Sequence, residues 1–125
     1  MNPINNVIII PHAKGLSVVD IASIIRVEAA GSYSKLFLRD GRKIILSKVL
    51  RKLEKMLAEK GFVRVHRSHL INTAFVQNFN FLQLKVTMIN NEEIPMSRRK
   101  SRKTKKDMPG FPVSWPGRQR HVAAA

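Results

Sequence analysis

The side chains best equipped for chemistry sit in two stretches. One is His66-Arg67-Ser68-His69, and the other is Ser97-Arg98-Arg99-Lys100-Ser101-Arg102-Lys103-Thr104-Lys105-Lys106. A serine between two histidines mimics a nucleophile beside a base, but no acid accompanies them to orient the base. Two histidines three residues apart suggest half of a metal site, and no nearby carboxylate or cysteine completes it. The first stretch therefore carries no catalytic, metal or cofactor expectation, and the chain is not read as an enzyme. The second stretch holds seven basic and no acidic residues. Such a run is either a solubilising, disordered polybasic tail or a contact for a polyanion. Nucleic acid is the default polyanion, because each neutralised phosphate releases condensed counterion. A membrane surface is the lesser option, since the run has no large apolar residue to insert.

The rest of the composition narrows the field. The chain has 125 residues, a formal net charge of +15 and no cysteine. That length allows one domain, or one domain with a tail. A hydrophobic content of 44% is enough for a core. The absence of cysteine excludes a disulfide scaffold, a Cys-type zinc finger and a cysteine nucleophile, and fits a reducing, cytoplasmic setting. No apolar run is long enough to span a bilayer. The opening Met1-Asn2-Pro3-Ile4-Asn5-Asn6 lacks the positive region of a secretory signal.

Most of the chain reads as short strands. Asn6–Pro11, Leu16–Val19 and Ile24–Ala29 are strand-like, with Asp20 capping one helical turn over Ile21–Ser23. In Tyr33–Leu38, Tyr33, Lys35 and Phe37 alternate with Ser34, Leu36 and Leu38. Asp40-Gly41 is a tight hairpin signal, and Lys43–Leu46 is the return strand. Ser47 reads as the N-cap of a helix over Lys48–Lys60. Its stripe of Val49, Leu50, Leu53, Met56 and Leu57 packs on a sheet, and Gly61 stops it. Strands follow at Phe62–Val65, Leu70-Ile71, Ala74–Phe79, Leu82–Ile89 and Glu93–Met96. Ser97 caps a short basic helix through Lys106. Residues 107–125, rich in Pro and Gly and holding Trp115, read as a flexible extension.

Three segments resemble one family. Ile24-Ile25-Arg26-Val27-Glu28-Ala29-Ala30-Gly31-Ser32-Tyr33-Ser34-Lys35-Leu36 resembles the I-x-x-E-A-x-x-x-Y-x-x-L opening of the LytTR DNA-binding domain. Phe62-Val63-Arg64-Val65-His66-Arg67-Ser68-His69-Leu70-Ile71-Asn72 resembles its F-x-R-x-H-R-S-x-L-[VI]-N segment. Ile94-Pro95-Met96-Ser97-Arg98-Arg99 resembles its closing [IL]-P-[VM]-S-R-R. Order and spacing agree from Val7 to Lys106. The resemblance implies a mainly β fold: an elongated antiparallel β-sheet arrangement with one packing helix and a short basic C-terminal helix, over residues 1–106. It also implies a bacterial transcription regulator, akin to response regulators, that reads duplex DNA in the major groove through loops at sheet ends, commonly at direct repeats.

Site residues follow motif by motif. In the first, Ser32, Ser34 and Lys35 are expected near DNA, with Ser34 divided between weak readout and a solvated loop. In the second, Arg67 is favoured. Its fork can bind guanine O6 and N7, or a phosphate. His66 and Ser68 flank it, and one of them orients the loop. For His66, a satisfied buried histidine competes with contact. In the third, Arg98 is expected at a base, with Arg99, Lys100, Arg102 and Lys103 on phosphates. An RNA-binding or ribosome-associated protein, or a non-specific architectural DNA binder, remains the alternative. Aromatics at 6% argue against base stacking. No receiver domain fits in this length. A separate signalling partner, abundance alone, or a longer parent chain is therefore expected to supply the input, and two copies can bind adjacent repeats as a dimer on DNA.

Overall fold

A computed structural model describes residues 6–107, so all but Asp107 of the expected extension, Trp115 included, lies outside the described residues. The first two strands, β1 (Val7–His12) and β2 (Gly15–Asp20), form a separate antiparallel hairpin. Asp20 then accepts a hydrogen bond from the Ala22 amide, capping a single 3₁₀ turn over Ile21–Ser23. Next come β3 (Ile24–Ala30), β4 (Tyr33–Leu38), β5 (Lys43–Leu46), the helix α1 (Leu50–Met56), β6 (Phe62–His66) and β7 (His69–Asn72). Their five strands make one antiparallel sheet in the order β5-β4-β3-β7-β6. Asn72 repeats the Asp20 device by accepting from the Ala74 amide over a second 3₁₀ turn. The chain then enters β8 (Val76–Asn80), β9 (Lys85–Met88) and β10 (Glu93–Pro95), an antiparallel sheet of three. The helix α2 (Arg98–Asp107) follows directly.

Strand alternation splits the core in two. Neighbouring residues of a strand point to opposite faces of a sheet, so Leu70 and Ile71 enter different clusters. On one face, Val27, Leu36, Leu38, Leu46 and Leu70 pack with Ile8, Ile10 and Val19 of the hairpin and Leu50, Leu53 and Leu57 of α1. On the other, Ile25, Val65 and Ile71 pack with Val76, Val86, Met88, Ile94 and Met96. The five-stranded sheet is thus the middle of three layers. The antiparallel, mainly β architecture agrees with expectation.

Some boundaries differ from the sequence reading. The first helix is Leu50–Met56, shorter than 48–60, and Val49, which offers no capping side chain, stands where Ser47 was expected. Ser47 and Lys48 are used up in crossing from the sheet onto its face, with the Lys48 amide bonded to the Leu46 carbonyl at 2.8 Å. Strand β9 begins at Lys85 rather than Leu82, because residues 81–84 turn and Leu84 adopts φ +57°. Thr73–Phe75 is the helical turn, so β8 starts at Val76. No helix among the described residues is long and apolar enough to cross a membrane.

One buried charge ties two layers together. Arg26 donates through Nε and Nη2 to both carboxylate oxygens of Glu92, at 3.0 and 3.1 Å, and through Nη1 to Glu28 at 3.0 Å. Its guanidinium lies 3.8 Å from the centre of the Phe37 ring. Phe37 is consequently half-buried beneath a cation rather than packed in an apolar core. Burial works against the charge of Arg26, but the two carboxylates outweigh it and raise its pKa. The hydrogen bonds from Arg26 hold the Glu92 carboxyl below its ordinary value.

A depressed carboxyl pKa stabilises the fold fully above the ordinary glutamate range, and that contribution is lost as pH falls through the folded value. Glu92→Gln is expected to cost about 1–2 kcal/mol at neutral pH, the pair being partly exposed. Urea denaturation of both proteins at about pH 7 and about pH 3 checks this, and the gap between them narrows at the lower pH. An equal gap at both would remove the ion pair from the account.

Candidate nucleic-acid interface

The residues singled out by the three motifs are placed by one strand. β3 pairs antiparallel with β4 on one side and β7 on the other. The end of β3 is therefore the start of both neighbours, and the β3–β4 and β6–β7 turns meet there. The Ala29 amide donates to the Ser68 carbonyl at 2.9 Å, linking the two turns directly. The exit of β5 reaches the same end, since Leu46 pairs with Ser34. The third motif arrives through the Ser97 amide, which donates to the Val65 carbonyl at 2.9 Å, two residues before Arg67.

At this end Gly31 takes φ +65°, which glycine adopts without strain, and Ser32 beside it is exposed. Arg67 is exposed at the tip of the β6–β7 turn. His66 is half-buried, and its Nδ1 accepts from the Ser68 amide at 3.1 Å. The imidazole thus orients the turn, and Ser68 is tied by both its amide and its carbonyl. His69, whose ring centre is 5.2 Å from that of His66, has a buried Nδ1 with no partner. Burial lowers its pKa, with Glu28 opposing, so it favours the neutral ring.

The helix α2 is capped by Ser97, whose hydroxyl oxygen accepts from the Lys100 amide at 3.1 Å. Its sheet-facing positions are Ser101 and Thr104, both buried. These side chains are short, so the helix lies close to β6 and its long cations point away. Arg98, Arg99, Arg102 and Lys103 are exposed, and Lys100 is half-buried. No acid lies in the first turn. Arg98 and Arg99 therefore add to the positive end of the helix dipole, where an anion is favoured. The acids of the described ion pairs are engaged by Arg26, Arg42, Arg64 and Lys85, so Arg67, Arg98, Arg99, Arg102 and Lys103 stand without acidic partners there.

Two expected contacts land elsewhere. Ser34 is fully buried, and its hydroxyl donates to the Lys48 carbonyl at 2.7 Å. It shares a face with Leu36 and Leu38, so it holds the β5 exit in place and offers nothing to a ligand. Lys35 is half-buried on the opposite face, directly across from Glu28. It faces a groove lined also by Arg26, Phe37 and Lys43, rather than the turns. Lys48 is a candidate that none of the three motifs names. The Asp40-Gly41 hairpin sends β5 back to the Gly31-Ser32 end, and the Lys48 backbone, two residues past Leu46, is held there by Ser34.

Ser34→Ala leaves the Lys48 carbonyl without its donor and is expected to cost about 1–2 kcal/mol of stability. A urea titration measures that loss. The affinity of the folded variant for duplex DNA stays that of the parent. A loss of affinity without a loss of stability would return Ser34 to the interface.

Comparison with known proteins identifies the family and agrees with the fold. The model of the LytTr DNA-binding domain matches residues 14–108. No curated protein sequence matches the chain. Among solved structures, a LytTr DNA-binding domain from Bacillus cereus, described as part of a methyl-accepting/DNA response regulator, superposes with a TM-score of 0.69 at 19% identity. The match covers 82% of this chain and 95% of that one. The chain belongs to the LytTR DNA-binding domain family.

Proposed function

We propose that this chain is the sequence-specific DNA-reading part of a bacterial transcriptional regulator, working in the cytoplasm without catalysis. The observation that carries the reading is the gathering of Ser32, Arg67, Arg98 and Arg99 at one end of the five-stranded sheet. Three of the four are cations without acidic partners among the described residues. Arg67 and Arg98 are assigned to base edges in the major groove, and Ser32 to a base or phosphate. Arg99, Lys100, Arg102, Lys103 and the newly placed Lys48 are assigned to phosphates. His66 and Ser68 shape the turn. Lys35 and Ser34 leave the contact set.

The division of labour has a physical basis. An exposed arginine on a fixed backbone can offer two parallel N–H groups to guanine O6 and N7. Lysines and arginines along an exposed helix face offer charge at many angles, which suits phosphates and carries little sequence information. Two copies on adjacent direct repeats need little contact with each other when free. The input is a separate partner, abundance alone, or a domain of a longer parent chain.

Selection from a random duplex pool supplies the preferred site. Arg67→Ala and Arg98→Ala are then expected to flatten base preference by about 1–3 kcal/mol each at one position. Lys103→Ala weakens every duplex alike and lowers the slope of log K against log salt by about 1. The reverse pattern, with Lys103→Ala changing preference and Arg98→Ala lowering affinity uniformly, would overturn the assignment. Equal binding to every duplex would favour an architectural protein, and preference for structured RNA would sink both.

A further inference from the structure

Resting on the proposed role of Arg67, we infer that Arg64 is the positioning residue that fixes how Arg67 meets DNA. The guanidinium of Arg64 sends its three kinds of N–H to three places. Nη1 donates to Glu54 Oε1 of α1 at 2.8 Å. Nε donates to the His66 carbonyl at 3.0 Å, and Nη2 to the Arg67 carbonyl. The Ser68 carbonyl already accepts from Ala29, and the Ser68 amide donates to His66 Nδ1. All three carbonyls of the turn are therefore held, two of them by one side chain. The side chain of Arg67 is the part left free.

This arrangement separates Arg64 from the residues that touch DNA. Its side chain is 15% exposed, and every nitrogen is engaged within the protein. A second function as a phosphate ligand would require it to release the turn. Glu54 supplies the fixed end of the clamp. It lies one residue after Leu53, which is fully buried, so α1 is anchored in the core while Glu54 reaches toward β6. A reader held this way gives up less backbone freedom on binding, and its fork stays aligned with one base pair rather than several. Lysine cannot replace Arg64, since a single ammonium group cannot span acceptors on α1 and on two successive turn carbonyls.

The test uses the full chain, a duplex recovered by selection, and a shuffled duplex of the same length. The ratio of the two dissociation constants is the selectivity. Arg64→Lys is expected to lower selectivity about tenfold, as Arg67→Ala does, while affinity for the shuffled duplex changes by less than about twofold. Glu54→Gln, which keeps an acceptor but removes the charge, shifts selectivity the same way by less and serves if Arg64→Lys does not fold. The double variant Arg64→Lys/Arg67→Ala matches Arg67→Ala alone, because Arg64 acts through Arg67. A merely structural role would instead lower the melting temperature and leave selectivity unmoved. Parental selectivity in Arg64→Lys and Glu54→Gln, or additive losses in the double variant, would overturn the inference while Arg67 still reads DNA. An equal loss of affinity for both duplexes would make Arg64 a phosphate ligand and overturn it as well. Parental selectivity in Arg67→Ala would sink the proposed reader, and the positioning role with it.

Discussion

Strand β3 has antiparallel neighbours on both sides, and the placement of the exposed cations follows from that pairing. A strand whose two partners both run against it collects a turn from each at the same end. Nothing in the turns themselves needs to attract the other. The hydrogen-bond ladders bring Gly31-Ser32 and Arg67-Ser68 together, and the Ala29–Ser68 bond marks where they join. The alternation of β3 keeps this register, since a slip of one residue would turn Val27 out of its core and put the charged Arg26 or Glu28 in its place. The chemistry at the sheet end is therefore specified by residues in its middle.

The sheet also separates charge from core. Arg26 is the one buried guanidinium among the described residues, and it is satisfied by Glu28, Glu92 and the face of Phe37. The half-buried Arg64 is likewise paired, with Glu54. Among the described ion pairs, no acid engages Arg67 at the sheet end or the cations of α2. Seven of the 23 basic residues lie in the ten residues from Ser97 to Lys106, with no acid among them. Salt screens the second kind of charge far more than the first.

Much of this was legible in the sequence, because it depends on local pattern. The Asp40-Gly41 hairpin, the apolar stripe of α1, the Ser97 cap and the polar break at His66–His69 all appear where their residue types placed them. The Arg26–Glu92 pair was not legible, since its members stand 66 residues apart and meet only after two sheets have formed. Ser34 is more instructive. Its alternation with Leu36 and Leu38 already put it on the apolar face, and the family pattern drew it toward DNA against that evidence. Lys48 was overlooked for the converse reason. No motif pointed to it, although counting back from the hairpin turn would have delivered it. The later start of α1 reflects the two residues needed to leave the sheet, and its earlier end reflects the turn over residues 57–61 that closes on Gly61, neither of which helical periodicity registers.

The seating of α2 beside β6 has a consequence for the free protein. A sheet edge presents unpaired amide and carbonyl groups to any passing strand, and stacking of such edges is a route to fibres. Short Ser101 and Thr104 let the helix approach closely enough to obstruct the β6 side. At the opposite edge, β5 is only four residues long and opens with Lys43, and a short edge strand bearing a lysine is a poor template for further growth. The ten-residue segment proposed to grip phosphate thus also guards one border of the sheet.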